Sequence, residues 1–357
     1  MTTIEAPVDE AAVGAFMQRT MGDAAGMMAA ALAMLGDRLG LFAALADGGP
    51  ATSAELAARA EVSERYAREW LYGMHAAGYL AIDHESGEFM LPAAHALVLA
   101  AEGGPFFLGG AFQLTLGYLR PIDRLIEAFR SGGGVPQSAY GEETWEGMYR
   151  LGRAWYENAL VQQWLPAAGV TPRLQAGARC LDIGCGSGLA LIQLARAFPN
   201  STFVGFDSFD GQIERARRHA AEAGLADRVR FELHDATGGI PGRFELITTF
   251  DVLHDAADPP LLLRSIHRAL SDDGTYLIME MNCADDPREN VGPLGTLMYG
   301  ISVLYCMSTS LATGGAGLGT CGCPPAKVLQ LCHEAGFISV ERLPVEDPMN
   351  VLYAVQR

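Results

Sequence analysis

Two stretches in the second half of this 357-residue chain gather the side chains best suited to reactive chemistry. The first is Leu181-Asp182-Ile183-Gly184-Cys185-Gly186-Ser187-Gly188, an acidic residue near the end of an apolar run followed by alternating glycines. Glycines at this spacing let a ligand approach the backbone closely, and a helix opening behind them offers unpaired N–H groups. A dinucleotide site would want glycine or alanine at position 189, which is Leu189, and a P-loop would want Gly-Lys-Ser/Thr, which is absent. Both nucleotide-phosphate readings weaken. The second stretch, Phe250-Asp251-Val252-Leu253-His254-Asp255, ends another apolar run with a histidine, the side chain whose pKa lies nearest working pH and so the natural general base.

Asp182 discriminates further. A carboxylate this close to the loop repels a pyrophosphate but suits a cationic amino-acid group, and S-adenosylmethionine carries such a group with no phosphate. Asp207, 21 residues beyond Gly186 and followed by Ser208, ends the next predicted strand, where a carboxylate accepts ribose hydroxyls. Asp235-Ala236 follows the third strand, placed for an adenine amino group and ring, and Phe250 adds an apolar wall. Any one of these acids could be a helix cap or a turn residue; three at consecutive strand ends beside a glycine loop read as a cofactor site.

The elements that must hold these residues alternate from Arg179 onward. Strands are predicted over 179–183, 202–206, 229–233, 244–250 and 275–281, with helices over 188–198, 211–223 and 259–270, which is an α/β doubly wound Rossmann-like sheet. Asp258 stands where it can cap the helix that opens with Pro259. A helix over 326–335 and strands over 338–342 and 351–355 close the chain as a terminal antiparallel hairpin. The N-terminal part reads differently: one long helix over 11–46, a short helix over 54–60 capped by Thr52 or Ser53, a helix from Ser63 to Ala77, then strands over 79–83 and 88–91. Helix, helix, hairpin is a winged-helix pattern. Three segments result: a mainly α winged-helix dimerisation domain (1–102), a helical linker and substrate-cap region rich in aromatics (103–175), and the cofactor-binding domain (176–357) with a lid insertion (282–323).

Composition excludes several classes. Lys+Arg total 25 against Asp+Glu 42, and the excess of acid holds in both halves, 11 against 20 up to residue 175 and 14 against 22 after it. Neither half attracts a phosphate backbone or an anionic membrane, so neither nucleic acid nor membrane is expected as a partner. The second winged-helix segment carries Glu64, Arg65, Arg68 and Glu69, a net charge of zero, where DNA reading would demand a basic face. Seven cysteines, all between 180 and 332, fit a reducing cytoplasm better than a disulfide framework. Met1 to Glu10 has acids but no basic residue, which is unlike a secretion signal, and the most apolar early stretch, Ala24 to Leu35, is about a dozen residues and contains Gly26 where a spanning helix needs about twenty, so no membrane segment is expected.

On the glycine loop, Asp207 and Asp235, the chain resembles the class I S-adenosylmethionine-dependent methyltransferases over about residues 176–357. With its winged helix it is similar to small-molecule O-methyltransferases, in particular those of actinobacterial type. The resemblance implies S-adenosylmethionine as cofactor, a homodimer built through residues 11–100, and methyl transfer to a small apolar or aromatic acceptor. Cofactor contacts are implied at Asp182, Gly184, Gly186, Gly188, Asp207, Ser208, Asp235, Ala236 and Phe250, and catalytic roles at His254, as base, and Asp255. Ala256 stands where those enzymes keep tryptophan, which leaves C-, N- or S-methylation open as alternatives; a cofactor-sensing DNA-binding regulator is the remote one. A second resemblance, to phenylpyruvate-type C-methyltransferases, implies iron at a His-Asp pair such as His254-Asp255, although Tyr305-Cys306 stand where that branch has a further histidine. The apolar 282–323 segment is expected to be a lid loop, with Cys321, Cys323 and Cys332 as free thiols rather than zinc ligands.

Overall fold

A computed structural model describes residues 8–357; the part of the secretion-signal expectation that falls on residues 1–7 lies outside the described residues. The chain divides into two compact units, one holding the residues up to Leu116 with Glu146–Leu151, the other Gly117–Trp145 with Gly152–Arg357.

In the first unit the helix predicted over 11–46 is broken into α1 (Glu10–Arg38) and α2 (Leu41–Gly48). The break falls at Gly40, whose φ of +67° is left-handed and ends a right-handed helix without a Cβ clash. Only the C-terminal part of α1 reaches the core, at Ala33 and Gly36, while Phe16, Met17 and Met21 stay exposed. α3 (Ser53–Arg59) starts with a full capping box, Thr52 accepting from the Glu55 N–H and Glu55 returning the bond to the Thr52 N–H. α4 (Glu64–Ala76) lays Trp70, Leu71 and Met74 onto Phe42, Leu56 and Phe89. The wing is shorter than predicted, with β1 (Ala81–Ile82) and β2 (Phe89–Met90) only two residues each, because Asp83 accepts from the Glu85 N–H and the Ser86 hydroxyl and turns the chain early. Ala51 adds a bridge to Phe89, and α5 (Ala93–Leu99) follows.

α6 (Gly109–Leu119) leads into the second unit, followed by α7 (Ile122–Ser131), α8 (Glu142–Trp155), a wide π-helical stretch over Tyr156–Trp164, and the short α9 (Leu165–Ala167) and α10 (Thr171–Ala176). The sheet then forms from β3 (Arg179–Ile183), β4 (Thr202–Asp207), β5 (Val229–Leu233), β6 (Phe244–Phe250) and β7 (Leu270–Met281), with α11 (Leu189–Ala197), α12 (Asp210–Glu222) and α13 (Pro259–Ala269) between them. Its strand order is β5-β4-β3-β6-β7-β9-β8, parallel except for β8 (Ser339–Arg342) and β9 (Asn350–Gln356), the terminal antiparallel pair. Strand order reverses between β4 and β6 around β3, the place where such sheets bind ligands.

The expected lid loop is instead helical over much of its length, α14 (Gly292–Ile301), a π-helical turn at Ser302–Cys306 and α15 (Met307–Ala312), with α16 (Pro325–Ala335) after it. Its apolar residues repeat at helical spacing, and Met298, Tyr305 and Cys306 find burial on one face. Joined, these turns make one 21-residue helix, Gly292–Ala312, apolar enough by length and composition to cross a membrane; close to half of it is buried inside the fold, as a core helix is.

Candidate functional site

All the residues singled out on β3 to β6 lie along one edge of the sheet, at the carboxyl ends of four neighbouring parallel strands. Asp182 pairs in register with Thr248 on β6, and the Thr248 hydroxyl donates to its carboxylate at 2.6 Å. Among the described residues no cation pairs with this buried acid, and desolvation pushes its pKa up to about 7, with the Thr248 bond opposing and Asp207 adding repulsion. Gly184, Gly186 and Gly188 take φ of +65°, +50° and +82° as the chain turns into α11. A Cβ on Gly186 would meet nothing within 4 Å, so the loop borders open space there, whereas one on Gly188 would strike the Phe231 ring.

Asp207 closes β4. Its two oxygens accept from the Gly186 N–H at 3.0 Å and the Phe209 N–H at 2.9 Å, which ties the glycine loop to the neighbouring strand and leaves each oxygen a further lone pair. Burial raises the pKa of this carboxylate, with the backbone N–H groups of Phe209, Gly186 and Ser208 opposing. Asp235 is more exposed; one oxygen caps a short turn by accepting from the Thr237 N–H and hydroxyl, while Ala236 beside it is buried. Phe250 ends β6 packed against Tyr156 and Trp164 at 5.7 and 5.8 Å between ring centres.

The turn after β6 is unusual. Asp251 adopts φ +56°, a left-handed conformation tolerated by few residues other than glycine, and one of its buried oxygens has no partner. This turn buries His254 and sets its Nδ1 2.6 Å from Glu280 Oε2 on β7, while the other Glu280 oxygen accepts from the Leu253 N–H at 2.8 Å. Because a carboxylate only accepts, Nδ1 carries the proton and the Nε2 edge is left for other chemistry. Burial alone lowers the imidazole pKa, but the carboxylates of Glu280 and Asp255 outweigh it and hold it well above its ordinary 6.5. Asp255 Oδ1 lies 3.4 Å from His254 Nε2, buried and without a hydrogen bond. Cys306, from the π-helical turn, completes the group.

An aromatic wall stands beside it. Tyr305 stacks on Tyr118 at 5.2 Å and meets Tyr140 and Trp145 edge-on at 5.1 and 6.1 Å, and Trp145 contacts Phe209 next to Asp207. Tyr118, Tyr140 and Trp145 belong to the aromatic-rich 103–175 segment, whereas Phe106 from the same segment is exposed.

Other expectations fall elsewhere. Asp258 caps α13, accepting from the Leu261 N–H at 2.8 Å. Cys323 and Cys332 are packed in the core beside the sheet, Cys321 lies by Cys283, and all seven cysteines are free. Sequence reasoning missed Glu280, Thr248, Asp251 and Cys306. Glu280 did leave a signal, as the lone acid within the apolar run Tyr276–Met281; Cys306 left none, since its placement depends on how the insertion folds.

The comparisons agree with this architecture. Residues 174–302 match the family described as Methyltransferase domain, and residues 27–101 the Rv2258c-like winged HTH domain. The chain therefore carries a winged-helix domain followed by a methyltransferase domain. Among curated proteins it is similar to a ubiquinone biosynthesis O-methyltransferase of Ruegeria pomeroyi, 34% identical over 112 residues, covering 31% of this chain and 44% of that protein. The chain thus spans less than half the length of the curated relatives it matches. Among solved structures it shares its fold with human N-acetylserotonin methyltransferase in complex with SAM (TM-score 0.65, 22% identity, 100% of this chain and 99% of that one). PigF with SAH is similar (TM-score 0.70, 22% identity, 95% and 99% covered), as is NcsB1 from neocarzinostatin biosynthesis, solved with SAH and 1,4-dihydroxy-2-naphthoic acid (TM-score 0.60, 20% identity, 95% and 98% covered).

Proposed function

We propose that this protein transfers the methyl group of S-adenosylmethionine to a hydroxyl of a small, apolar or aromatic molecule. The observation that carries this reading is the convergence, on one sheet edge, of a glycine loop, carboxylates at three successive strand ends and the His254–Glu280 pair at the next. The donor set fits such a cofactor: among the described residues no cation pairs with the buried Asp182, each Asp207 oxygen accepts one of the Gly186 and Phe209 N–H bonds, and the space over Gly186 is open.

Asp182 takes the ammonium of the amino-acid portion, Asp207 with Ser208 the ribose hydroxyls, and Asp235, Ala236 and Phe250 the adenine and its surroundings, with Gly184, Gly186 and Gly188 allowing the approach. When bound, the cofactor supplies an electrophilic methyl. His254 Nε2 removes the proton of the acceptor hydroxyl, and Glu280 keeps the ring in the required tautomer and stabilises the imidazolium that results. The nearby carboxylates make the imidazole strongly basic, so its working form belongs to the alkaline side of neutrality. Asp255, next to Nε2, orients the acceptor. The tyrosine wall and the helical 282–323 segment enclose the acceptor and exclude water; holding it at about 3 to 3.5 Å from the methyl is the principal source of rate.

Similarity to the O-methyltransferase NcsB1 and to the ubiquinone biosynthesis O-methyltransferase supports an O-methyl acceptor, and the dihydroxynaphthoic acid in the NcsB1 structure is a hydroxylated aromatic of the kind proposed here. The winged-helix unit acts as the dimerisation module of a cytoplasmic homodimer, through the exposed apolar residues Phe16, Met17, Met21, Met27 and Met28 of α1. Calorimetric titration with S-adenosylhomocysteine followed by transfer of isotopic methyl to a panel of hydroxylated aromatics tests the activity; no binding of the nucleoside by the folded protein would overturn it. Light scattering that finds the intact chain monomeric would overturn the dimer.

A further inference from the structure

We propose that His254 Nε2, the Asp255 carboxylate and the Cys306 thiolate form a three-ligand site for a borderline divalent transition ion of the Zn²⁺ type. Donor atoms of these three side chains lie within 4.8 Å of one another, and His254 and Cys306 are buried. The His254 Nε2 to Asp255 Oδ1 distance is 3.4 Å. Ligand bonds of about 2.0 to 2.1 Å at a tetrahedral angle give an edge of about 3.3 Å between nitrogen and oxygen donors, so this edge already has the required length. Asp255 Oδ1 is buried with no hydrogen-bond partner, as a ligand atom awaiting its ion would be.

The surroundings point the same way. Metal-bound imidazoles commonly donate their other N–H to a carboxylate, which fixes the ring and strengthens the ligand, and Glu280 stands in that relation to His254 Nδ1 at 2.6 Å. Asp251, Asp255 and Glu280 gather around one imidazole, and burial raises the pKa of Asp251 and of Asp255, with His254 opposing. A dication in the site favours the ionised form of these acids. The thiol narrows the choice of ion, since thiolate with imidazole and carboxylate favours Zn²⁺ over Mg²⁺ or Ca²⁺. Cys306 ends the π-helical turn Ser302–Cys306, a local widening of the helix of the kind found frequently at functional sites.

Binding releases to solvent the protons carried by the thiol and by Nε2. Three protein ligands leave a fourth position open. An occupied site holds the Nε2 lone pair on which the proposed base chemistry depends, so loaded and metal-free protein differ in whether His254 can accept a proton.

The test uses the full chain, stripped with a chelator and titrated with Co²⁺ or Zn²⁺ alone, without donor or acceptor, so its outcome is separate from that of the methyl-transfer reading. One equivalent of Co²⁺ should bind with a thiolate-to-metal charge-transfer band in the near ultraviolet. Cys306→Ser should abolish the band and weaken Zn²⁺ binding at least tenfold, Asp255→Asn should weaken it comparably, and Glu280→Gln should weaken it by about 10- to 100-fold while keeping the band. Cys321→Ser, which alters a different thiol, should change neither. Absence of stoichiometric Co²⁺ or Zn²⁺ binding, or a band that survives Cys306→Ser or disappears with Cys321→Ser, would overturn the site.

Discussion

Asp182 offers a perturbation whose size follows from its surroundings. Its side chain is buried, Thr248 donates a hydrogen bond to it, and burial pushes its pKa in the folded protein up to about 7 from 3.8. At about 1.4 kcal/mol per pH unit, the rise from 3.8 to about 7 makes the ionised form in the folded, cofactor-free protein less favourable by on the order of 4 kcal/mol. The sign is set by proton counting. Between pH 4 and 7 the folded state keeps a proton that the unfolded chain has released, so Asp182's contribution to stability is greatest below about pH 4, falls as pH rises to about 7, and is flat above it. Asp182→Asn removes this titration while keeping an oxygen for Thr248. Urea unfolding of cofactor-free protein should therefore show variant and parent nearly equal at pH 4, with the variant gaining up to on the order of 4 kcal/mol by pH 8. Asp207, Asp251 and Asp255 also have raised pKa values and steepen both curves; because Asp207 and Asp182 repel each other, the difference between the curves reports Asp182 together with that repulsion. The same variant should bind S-adenosylmethionine more than tenfold more weakly at pH 8, having lost the anion that faces the ammonium. Parallel stability curves, or unchanged affinity, would refute the assignment of Asp182 as a buried acid waiting for a cation.

Asp207→Ala should weaken binding of S-adenosylhomocysteine by about 1.5 to 3 kcal/mol in calorimetric titration, through lost ribose contacts and a loosened Gly186 N–H. His254→Ala should lower turnover of a hydroxyl acceptor by about 10² to 10⁴ with cofactor affinity unchanged, and equal turnover would remove the base. Gly188→Ala should destabilise the protein by about 1 to 3 kcal/mol in thermal or urea unfolding, because it joins a φ of +82° to a clash with the Phe231 ring; a neutral effect would mean the loop can rearrange.

Much of the second unit was legible in order. β3, β4 and β6 are short apolar runs closed by a glycine or an acid at Gly184, Asp207 and Asp251, and Pro259 behind Asp258 marked the start of α13 as the structure has it. These signals are local, set by backbone preference and by the period of the apolar residues, so they survive in the sequence without knowledge of the fold. Where the signal depended on partners, it failed. The apolar period ran through Leu39 and Gly40, yet the chain bends there because α2 packs on α4 and α5 rather than extending α1. The 282–323 segment, rich in glycine, read as a loop, yet its apolar residues had a buried face to fill and became helix.

The site divides in the same way. The glycine loop, Asp182, Asp207, Asp235 and His254 could be picked out because strand ends in a parallel sheet share one edge whatever the details of packing. Glu280, Thr248 and Cys306 acquire meaning only in three dimensions. Thr248 matters because β6 pairs with β3 in the register that sets it opposite Asp182, and Glu280 because β7 lies beside the β6 turn. Cys306 lies 52 residues from His254 and meets it only once the insertion has folded. The sequence by itself determined the sheet, its ligand edge and the acids along it, since these depend on neighbours in the chain; tertiary structure alone decided which distant side chains surround His254, since those contacts depend on register and on burial.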